Sequence, residues 1–583
     1  MNNFNFRHFL NNNKWLIIPV ILILYSIFLR FYGIWYSDLQ GDEINPLRYL
    51  DNIYGTTPGI DQFFTYLLDQ KRGPGQYIIN YINTSIFGFN SEFQVRFPYF
   101  VFSSLALVSI YFLARKIFNQ KVAVFSVLLM GLNGLYIAFG RITQYQSFMY
   151  LVSPLSLFIF IKSFYQRSYL GIVFSGFLLS LCMLGHYDTL SFAPFFIGFL
   201  LTYLLQNKKQ LLYVVKSGFA FFISFAIPSL LFYIPFLSSS YYESTAKGYL
   251  LGRLFGSGFM PRTPYHELGK LLTLYMPSEA WVIFFVLTCF GLFFLFSNFE
   301  YRNFFKINKR FIRWIPLISI CIFIFAVFFS VFPIKPRSAT FLEYGSAIIL
   351  LLSLFFTKKV KPEIIGIISW FLISFSVYFF FIKDPRTHVY ITFLPAFLLA
   401  GYALNFLFNL KNNIVRGVFW CSFLAYSIYL GVFYYMVFID TNPEYPWFEK
   451  DIFGRVLYSV GRVRYKKVDG VFGFNSNRHW KDIRTLYDKG CLVGPYNSNE
   501  KNSITRFYLG FDQTYPDNPD FIFSGDTFFI VEAPQSWYYT NIDRYNKIVP
   551  YPVIHIIYNK DLPVVYVLGN LSIYKDRKML CEL

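Results

Sequence analysis

Long apolar stretches separated by short polar turns run from residue 15 to residue 438, and most have no helix-face or strand alternation. Stretches that are apolar on every side belong inside a bilayer. A span takes roughly 20 such residues, and about thirteen candidates follow. They lie near 15–36, 97–114, 122–139, 145–161, 168–186, 189–206, 217–238, 281–298, 314–333, 339–356, 363–382, 389–409 and 417–438. The first is too long, and too weakly followed by small residues, for a cleaved signal peptide. Past Asp440 the apolar runs shorten and turn residues multiply. Val468–Phe474 reads as a strand, Arg478–Lys489 as an amphipathic helix, and Phe528–Glu532 and Val564–Leu568 as further strands. The expected fold class is a polytopic α-helical membrane protein over residues 1–439, with a mixed α/β domain over 440–583. That second part is large enough to bury a core of its own, and it reads as a module for packing or for guiding an acceptor.

Composition agrees: 55% of the 583 residues are hydrophobic and only 14% are charged. Charge orients the spans. Basic residues gather in every second loop, at Arg115/Lys116/Lys121, Lys162/Arg167, Lys208/Lys209/Lys216, Arg302–Arg313, Lys358/Lys359/Lys361 and Lys411/Arg416. The positive-inside rule places these loops and the amino terminus in the cytoplasm. An odd number of spans then leaves the carboxy-terminal domain outside the cytoplasmic (inner) membrane. Residues 1–439 hold 34 basic and 15 acidic side chains, and 440–583 hold 18 and 17. The net charge of +20 is therefore a topology signal, and nucleic-acid binding is not implied.

Of those 15 acidic groups, Asp38, Asp42, Glu43, Asp51, Asp61 and Asp69 crowd the first extracytoplasmic loop, 37–96. Carboxylates at a membrane interface call for a cation, a metal or a substrate. Lys71 and Arg72 precede Gly73-Pro74-Gly75, where Pro74 suits the opening of a helix and the free N–H groups of its first turn suit a phosphate. Arg141, with Gln144 and Tyr145, sits in an external hairpin against the charge trend. His186-Tyr187-Asp188 joins two spans, although a lone His beside an aromatic is more often structural. The loop 239–276 carries Lys247, Arg253, Arg262 and His266, and two Pro-Arg turns supply Arg337 and Arg386. Carboxylates facing guanidinium groups suit glycosyl transfer from a lipid phosphate: the former accept a hydroxyl proton, the latter stabilise the leaving phosphate. No cofactor is required on this reading. A divalent ion between Asp42 or Glu43 and His266 is the weaker variant. Cys182, Cys289, Cys321 and Cys421 lie in spans, while Cys491 and Cys581 are either a disulfide or two thiols.

Several segments, in order, resemble a known family. They are Gly41-Asp42-Glu43, Lys71-Arg72-Gly73-Pro74-Gly75-Gln76-Tyr77, Gln94-Val95-Arg96-Phe97-Pro98, Arg141–Tyr150 and Gly185-His186-Tyr187. Together they resemble the membrane-embedded GT-C glycosyltransferases of the protein O-mannosyltransferase and aminoarabinose-transferase type, densely over 35–195 and more loosely to about residue 440. The resemblance implies an inverting transferase that takes its sugar from a polyprenyl phosphate at the outer membrane face. It implies Asp42 as base with Glu43 beside it, and Lys71 or Arg72, an arginine of 239–276, and Arg337 or Arg386 on the phosphate. Two features depart from the family. Paired prolines are replaced by Gly73-Pro74, and the tyrosine after the Pro-Arg turn by Ser338 or Thr387. The rival readings are a transporter or flippase of lipid-linked saccharide, which would carry charges near the midplane, and an envelope scaffold. Donor sugar (mannose, another hexose, an aminopentose) and acceptor (protein, lipid or envelope glycan) stay open.

Overall fold

The computed structural model describes residues 16–47, 50, 60–89, 91–255, 272–301, 309–331, 337–355, 357–382, 385–441, 472–498, 500, 502–510, 512–513, 527–532, 553–557 and 564–569. Among them, eight helices are long and apolar enough to cross a membrane: they lie within 92–117, 145–165, 187–206, 208–237, 278–297, 362–379, 386–408 and 413–438. Five shorter apolar helices, Ile17–Phe31, Gln120–Gly131, Tyr169–Gly185, Arg313–Val327 and Tyr344–Leu354, fall in other expected stretches. The protein is an integral membrane protein. Polar caps close the helix ends in the usual way: Ser91, Asn119, Asn133, Ser168 and Asn412 each accept a backbone N–H of the helix that follows. The stretch expected at 122–139 is broken in two at Asn133. There Gly134 lies so close to the Tyr275 carbonyl that a Cβ would stand 1.7 Å from its oxygen.

Burial sorts the helices. In Arg386–Phe408, 78% of the most apolar stretch is buried, against 22% in Lys208–Leu237. The former is a central post; the latter shows Leu212, Phe219, Phe222 and Leu231 on its exposed face, where lipid supplies the contact. Helices Glu92–Ile117, Tyr145–Tyr165, Tyr169–Gly185 and Leu211–Leu237 pack in succession, and Gln120–Gly131, Tyr390–Phe408 and Ser278–Ser297 form a second row. A charged side chain inside this bundle needs full satisfaction. Arg30, wholly buried, donates to Ser103 Oγ at 3.0 Å and to the carbonyls of Ser26, Gly131 and Met130.

The carboxy-terminal part carries helices Trp480–Asp488 and Asn502–Leu509 and a four-stranded mixed sheet. Its strands are β3 (Tyr496–Ser498), β4 (Thr527–Glu532), β5 (Val553–Ile557) and β6 (Val564–Gly569), in the order β3-β4-β6-β5. Two short strands, β1 (Glu300–Tyr301) and β2 (Thr357–Lys358), pair elsewhere in the chain. β3 runs parallel to β4, and the remaining pairs are antiparallel. Cys491 is disulfide-bonded; Cys581 lies outside the described residues.

This part shares its core with the first loop. Leu39, Ile44, Leu47, Tyr77 and Val95 pack with Trp480, Ile483, Tyr496, Tyr508 and Phe529 in one cluster. Asp38 Oδ2 accepts from Arg478 N at 2.7 Å, and the Tyr508 hydroxyl donates to Glu92 Oε1 at 3.0 Å while accepting from Leu39 N at 2.7 Å. The strand expected at Val468–Phe474 is corrected where it can be seen. Residues 468–471 lie outside the described residues, and 472–474 form no strand. Gly473 takes φ +84° with Ala138 O 2.5 Å from where a Cβ would stand, and Phe474 stacks on Tyr275 and Phe438. The segment is thus pressed into the helical body instead of joining a sheet.

Arg141 is the rivet at this junction. It is 3% exposed and donates to Gly473 O at 2.9 Å, Leu29 O at 2.7 Å, Tyr32 O at 2.6 Å and Asn475 Oδ1 at 3.2 Å. All these acceptors lose their donor in Arg141→Met. We expect a loss of at least about 2 kcal/mol, seen as a lower melting temperature in detergent and faster proteolysis after residue 440. An unchanged melt contradicts that role.

Candidate active site

The site begins with a four-residue helix, Gly41–Ile44. Glu43 Oε2 accepts the Gln40 N–H at 3.0 Å, closing a capping box at its start. Successive helix residues point about 100° apart, so Asp42 and Glu43 face different surroundings. Glu43 is fully buried. Arg96 meets it through Nε to Oε1 and Nη2 to Oε2, both at 2.8 Å, and Thr143 N adds a bond to Oε1 at 2.9 Å. Arg96 spends its remaining donors on the carbonyls of Ile34, Ser37 and Asp38. The expectation that Glu43 works beside Asp42 as a catalytic group, or as a metal ligand with His266, is therefore revised. Both of its oxygens are occupied by protein donors, and His266 lies outside the described residues.

Asp42 faces a cleft lined by Lys71, Arg72, Gln70, Gln76, Asp69 and Tyr241. Arg72 Nη2 donates to its Oδ2 at 3.2 Å, with Asp42 28% and Arg72 17% exposed. Burial alone would raise the Asp42 carboxyl, but Arg72, then Lys71, and the nearby Gln144 amide outweigh it and hold it below the ordinary 3.8. Gly73 positions this cation pair. It takes φ +122° and lies against the Leu184 carbonyl, with no space for a Cβ. Pro74 and the helix Gly75–Phe87 follow as the sequence indicates. Lys71 Nζ lies 4.4 Å from the centre of the Tyr249 ring, and the Arg72 guanidinium 6.0 Å from that of Tyr145.

Behind Tyr145 the polar groups continue. Its ring stacks on His186 at 4.3 Å with 12° between planes, and its hydroxyl lies 3.5 Å from His388 Nδ1. Asp188 Oδ2 is 2.7 Å from His388 Nδ1 and 3.2 Å from His186 Nδ1, and Oδ1 accepts from the Tyr378 hydroxyl at 2.8 Å. Among the described residues, buried polar atoms without a protein partner include Arg72 Nε, Gln144 Nε2, Gln146 Oε1, Tyr150 OH and His186 Nε2. Such atoms call for water or a ligand.

Of the expected site residues, the structure brings together Asp42, Lys71, Arg72, Gln144, Tyr145 and His186. Arg141 is removed from the phosphate-binding set, because carbonyls and Asn475 take its donors. Arg386, at φ +43°, opens the turn Arg386–Val389 that delivers His388. Arg337 starts the helix Arg337–Phe355 and Arg253 lies on Lys247–Phe255; their side chains, and all of Arg262, lie outside the described residues. Sequence reasoning missed Asp188 and His388 as partners. One signal existed: Asp188 is the single acidic residue between Glu92 and Glu243.

The many-helix membrane body shares the fold of a solved ArnT structure, and part of it matches a mannosyltransferase family model. Residues 71–232 match the family described as dolichyl-phosphate-mannose-protein mannosyltransferase. Among solved structures, ArnT from Cupriavidus metallidurans bound to undecaprenyl phosphate is similar at 11% identity and TM-score 0.50, over 95% of this chain and 98% of that one. The oligosaccharyltransferase AglB from Archaeoglobus fulgidus, in complex with an inhibitory peptide and a dolichol-phosphate, gives 12% identity and TM-score 0.43. That comparison covers 86% of this chain and 64% of AglB. No curated protein matches the sequence.

Two outcomes follow from this geometry. Arg96→Met leaves Glu43 buried without its cation and should cost about 3–5 kcal/mol, whereas Arg96→Met with Glu43→Gln should recover much of the loss in the same thermal melt. No recovery contradicts the pairing. The depressed Asp42 value means that its ion pair contributes above the ordinary carboxylate range and is lost as pH falls through Asp42's own lower value. Arg72→Gln should raise that value. At a fixed mildly acidic pH, carbodiimide labelling of Asp42, which needs the protonated carboxyl, should then rise several-fold; equal labelling of both proteins contradicts the assignment.

Proposed function

We propose that the protein is an inverting glycosyltransferase that moves a sugar from a polyprenyl-phosphate-linked donor to an acceptor hydroxyl. The observation that carries this reading is the Asp42–Arg72 pair, 3.2 Å apart, in a cleft of the first loop. The similar ArnT structure, with undecaprenyl phosphate bound, supports the lipid donor. We place thirteen spans in the cytoplasmic membrane with the amino terminus inside. The cleft and an α/β domain from residue 440 onward then lie outside, on the loop polarity argued above.

In the resting site Arg72 neutralises Asp42. A lipid phosphate entering beside Lys71 and Arg72 competes for the guanidinium and draws it away by a bidentate, charge-assisted contact. Asp42 thereby loses the charge that depressed its proton affinity and becomes a better base. Its carboxylate takes the acceptor hydroxyl proton as oxygen bonds to the anomeric carbon. The bond from that carbon to the phosphate oxygen breaks on the opposite side, which inverts the centre. Its electron pair stays on the phosphate, where Lys71 and Arg72 stabilise the charge. Gln144 lies beside Asp42 and Tyr145 beside Arg72, and Glu43 positions Asp42 without touching substrate.

The test is release of polyprenyl phosphate by purified protein from a panel of donors carrying mannose, another hexose or an aminopentose. One donor should be cleaved, and Asp42→Asn should slow release by ~10² or more. A transporter of lipid-linked saccharide would leave every donor intact. No release from any donor, or undiminished release by Asp42→Asn, contradicts the proposal.

A further inference from the structure

The contacts of Asp188 do not close on themselves. Asp188 is 2% exposed, and the groups at hydrogen-bond distance from its carboxylate are two imidazoles and the Tyr378 hydroxyl. His186 Nδ1 accepts the backbone N–H of Asp188 at 3.0 Å, so it has no proton to give. Yet the same Nδ1 faces Asp188 Oδ2 at 3.2 Å, lone pair to lone pair. Protonating Nδ1 would mend that contact and forfeit the backbone bond. In either tautomer His186 Nε2 is buried without a partner among the described residues. Facing lone pairs of a buried carboxylate and an imidazole are costly, and a cation held between Asp188 Oδ2 and His186 Nδ1 turns that repulsion into attraction at the expense of the backbone bond.

The donor atoms suit such an ion. One atom each from His186, Asp188 and His388 lies within 4.8 Å of the others. Tetrahedral zinc with bonds near 2.0–2.1 Å sets neighbouring donors roughly 3.3 Å apart. The 3.2 Å separation already fits, and the 2.7 Å one needs to open by about half an ångström. Two imidazoles with one carboxylate select first-row transition ions over calcium or magnesium. The Tyr378 hydroxyl on the other carboxylate oxygen orients that ligand as outer partners of metal ligands do.

We propose that His186, Asp188 and His388 form a binding site for a divalent transition-metal ion of the zinc type. Three protein ligands leave a fourth place for water or for the Tyr145 hydroxyl, 3.5 Å from His388 Nδ1. The ion ties the end of helix Tyr169–Gly185 to the turns Tyr187–Phe192 and Arg386–Val389. It also fixes the His186 ring on which Tyr145 stacks, and with it the platform beneath Arg72. The site stands whether or not the protein transfers sugar.

The experiment uses the full chain in detergent, with any affinity tag removed. Elemental analysis after purification with Zn²⁺ should find about one ion per chain. Stripped protein titrated with Co²⁺ should develop visible d–d bands of a four-coordinate site. His388→Gln, Asp188→Asn and His186→Ala should each weaken Co²⁺ binding more than about ten-fold, whereas His479→Ala should bind as the parent does. Wild-type protein that retains no Zn²⁺ and gives no Co²⁺ bands overturns the proposal, and this arm does not depend on the variants folding. So does wild-type stoichiometry in all three ligand variants.

Discussion

The bidentate ion pair between Glu43 and Arg96 is the constraint on which the rest of the site depends. It is buried on both sides and reinforced by the Gln40 and Thr143 N–H groups, so neither charge has water to fall back on. Such a pair is weak evidence for added stability but strong evidence for fixed geometry, because any displacement exposes an uncompensated charge to a low dielectric. It joins three pieces that are distant in sequence: the turn after the first helix, the start of helix Glu92–Ile117, and the hairpin before Tyr145. With Glu43 locked inward, its neighbour Asp42 has one direction left, toward Arg72. A fully paired carboxylate thus decides where its partly exposed neighbour points.

The carboxy-terminal part belongs to the same construction. Asp38, four residues before Asp42, anchors the chain leading into helix Trp480–Asp488, and Glu92, four residues before Arg96, accepts from Tyr508 and pairs with Lys481. Arg478 is itself held by Glu500 at 2.7 Å. Burial pushes the Asp38 carboxyl up to about 6, against the pull of Arg478. The loop that presents Asp42 is therefore clamped between the helical bundle below and the sheet-bearing part above. A loop clamped on both faces holds a charged pair in place without relying on its own few residues.

Much of the fold was legible because bilayer physics leaves a plain imprint. Uniform apolar runs bounded by polar turns give helices and their ends within a few residues. The helix opening at Pro74 and the gathering of carboxylates and cations in the first loop were also readable, since a proline's fixed φ and a local excess of charge show in the sequence. The roles of Glu43 and Arg141 were not. Each looks like a reactive charged group at an interface, and only the buried partners, Arg96 for one and the Leu29, Tyr32 and Gly473 carbonyls for the other, reveal a structural duty. Over 472–474 the strand expected at Val468–Phe474 failed for a similar reason: the pattern cannot tell a sheet from a chain packed against Ala138. Asp188 and His388 lie 200 residues apart and meet only because the turns Tyr187–Phe192 and Arg386–Val389 come together.

The central claim is that the Asp42–Arg72 pair is a resting lock that a lipid phosphate opens. The most direct measurement is a structure of the full chain with a polyprenyl phosphate bound. The account predicts the phosphate within hydrogen-bond distance of Arg72 or Lys71, with Asp42 released from the guanidinium and open to the cleft. A phosphate seated away from both cations, with the Asp42–Arg72 contact unbroken, would contradict it.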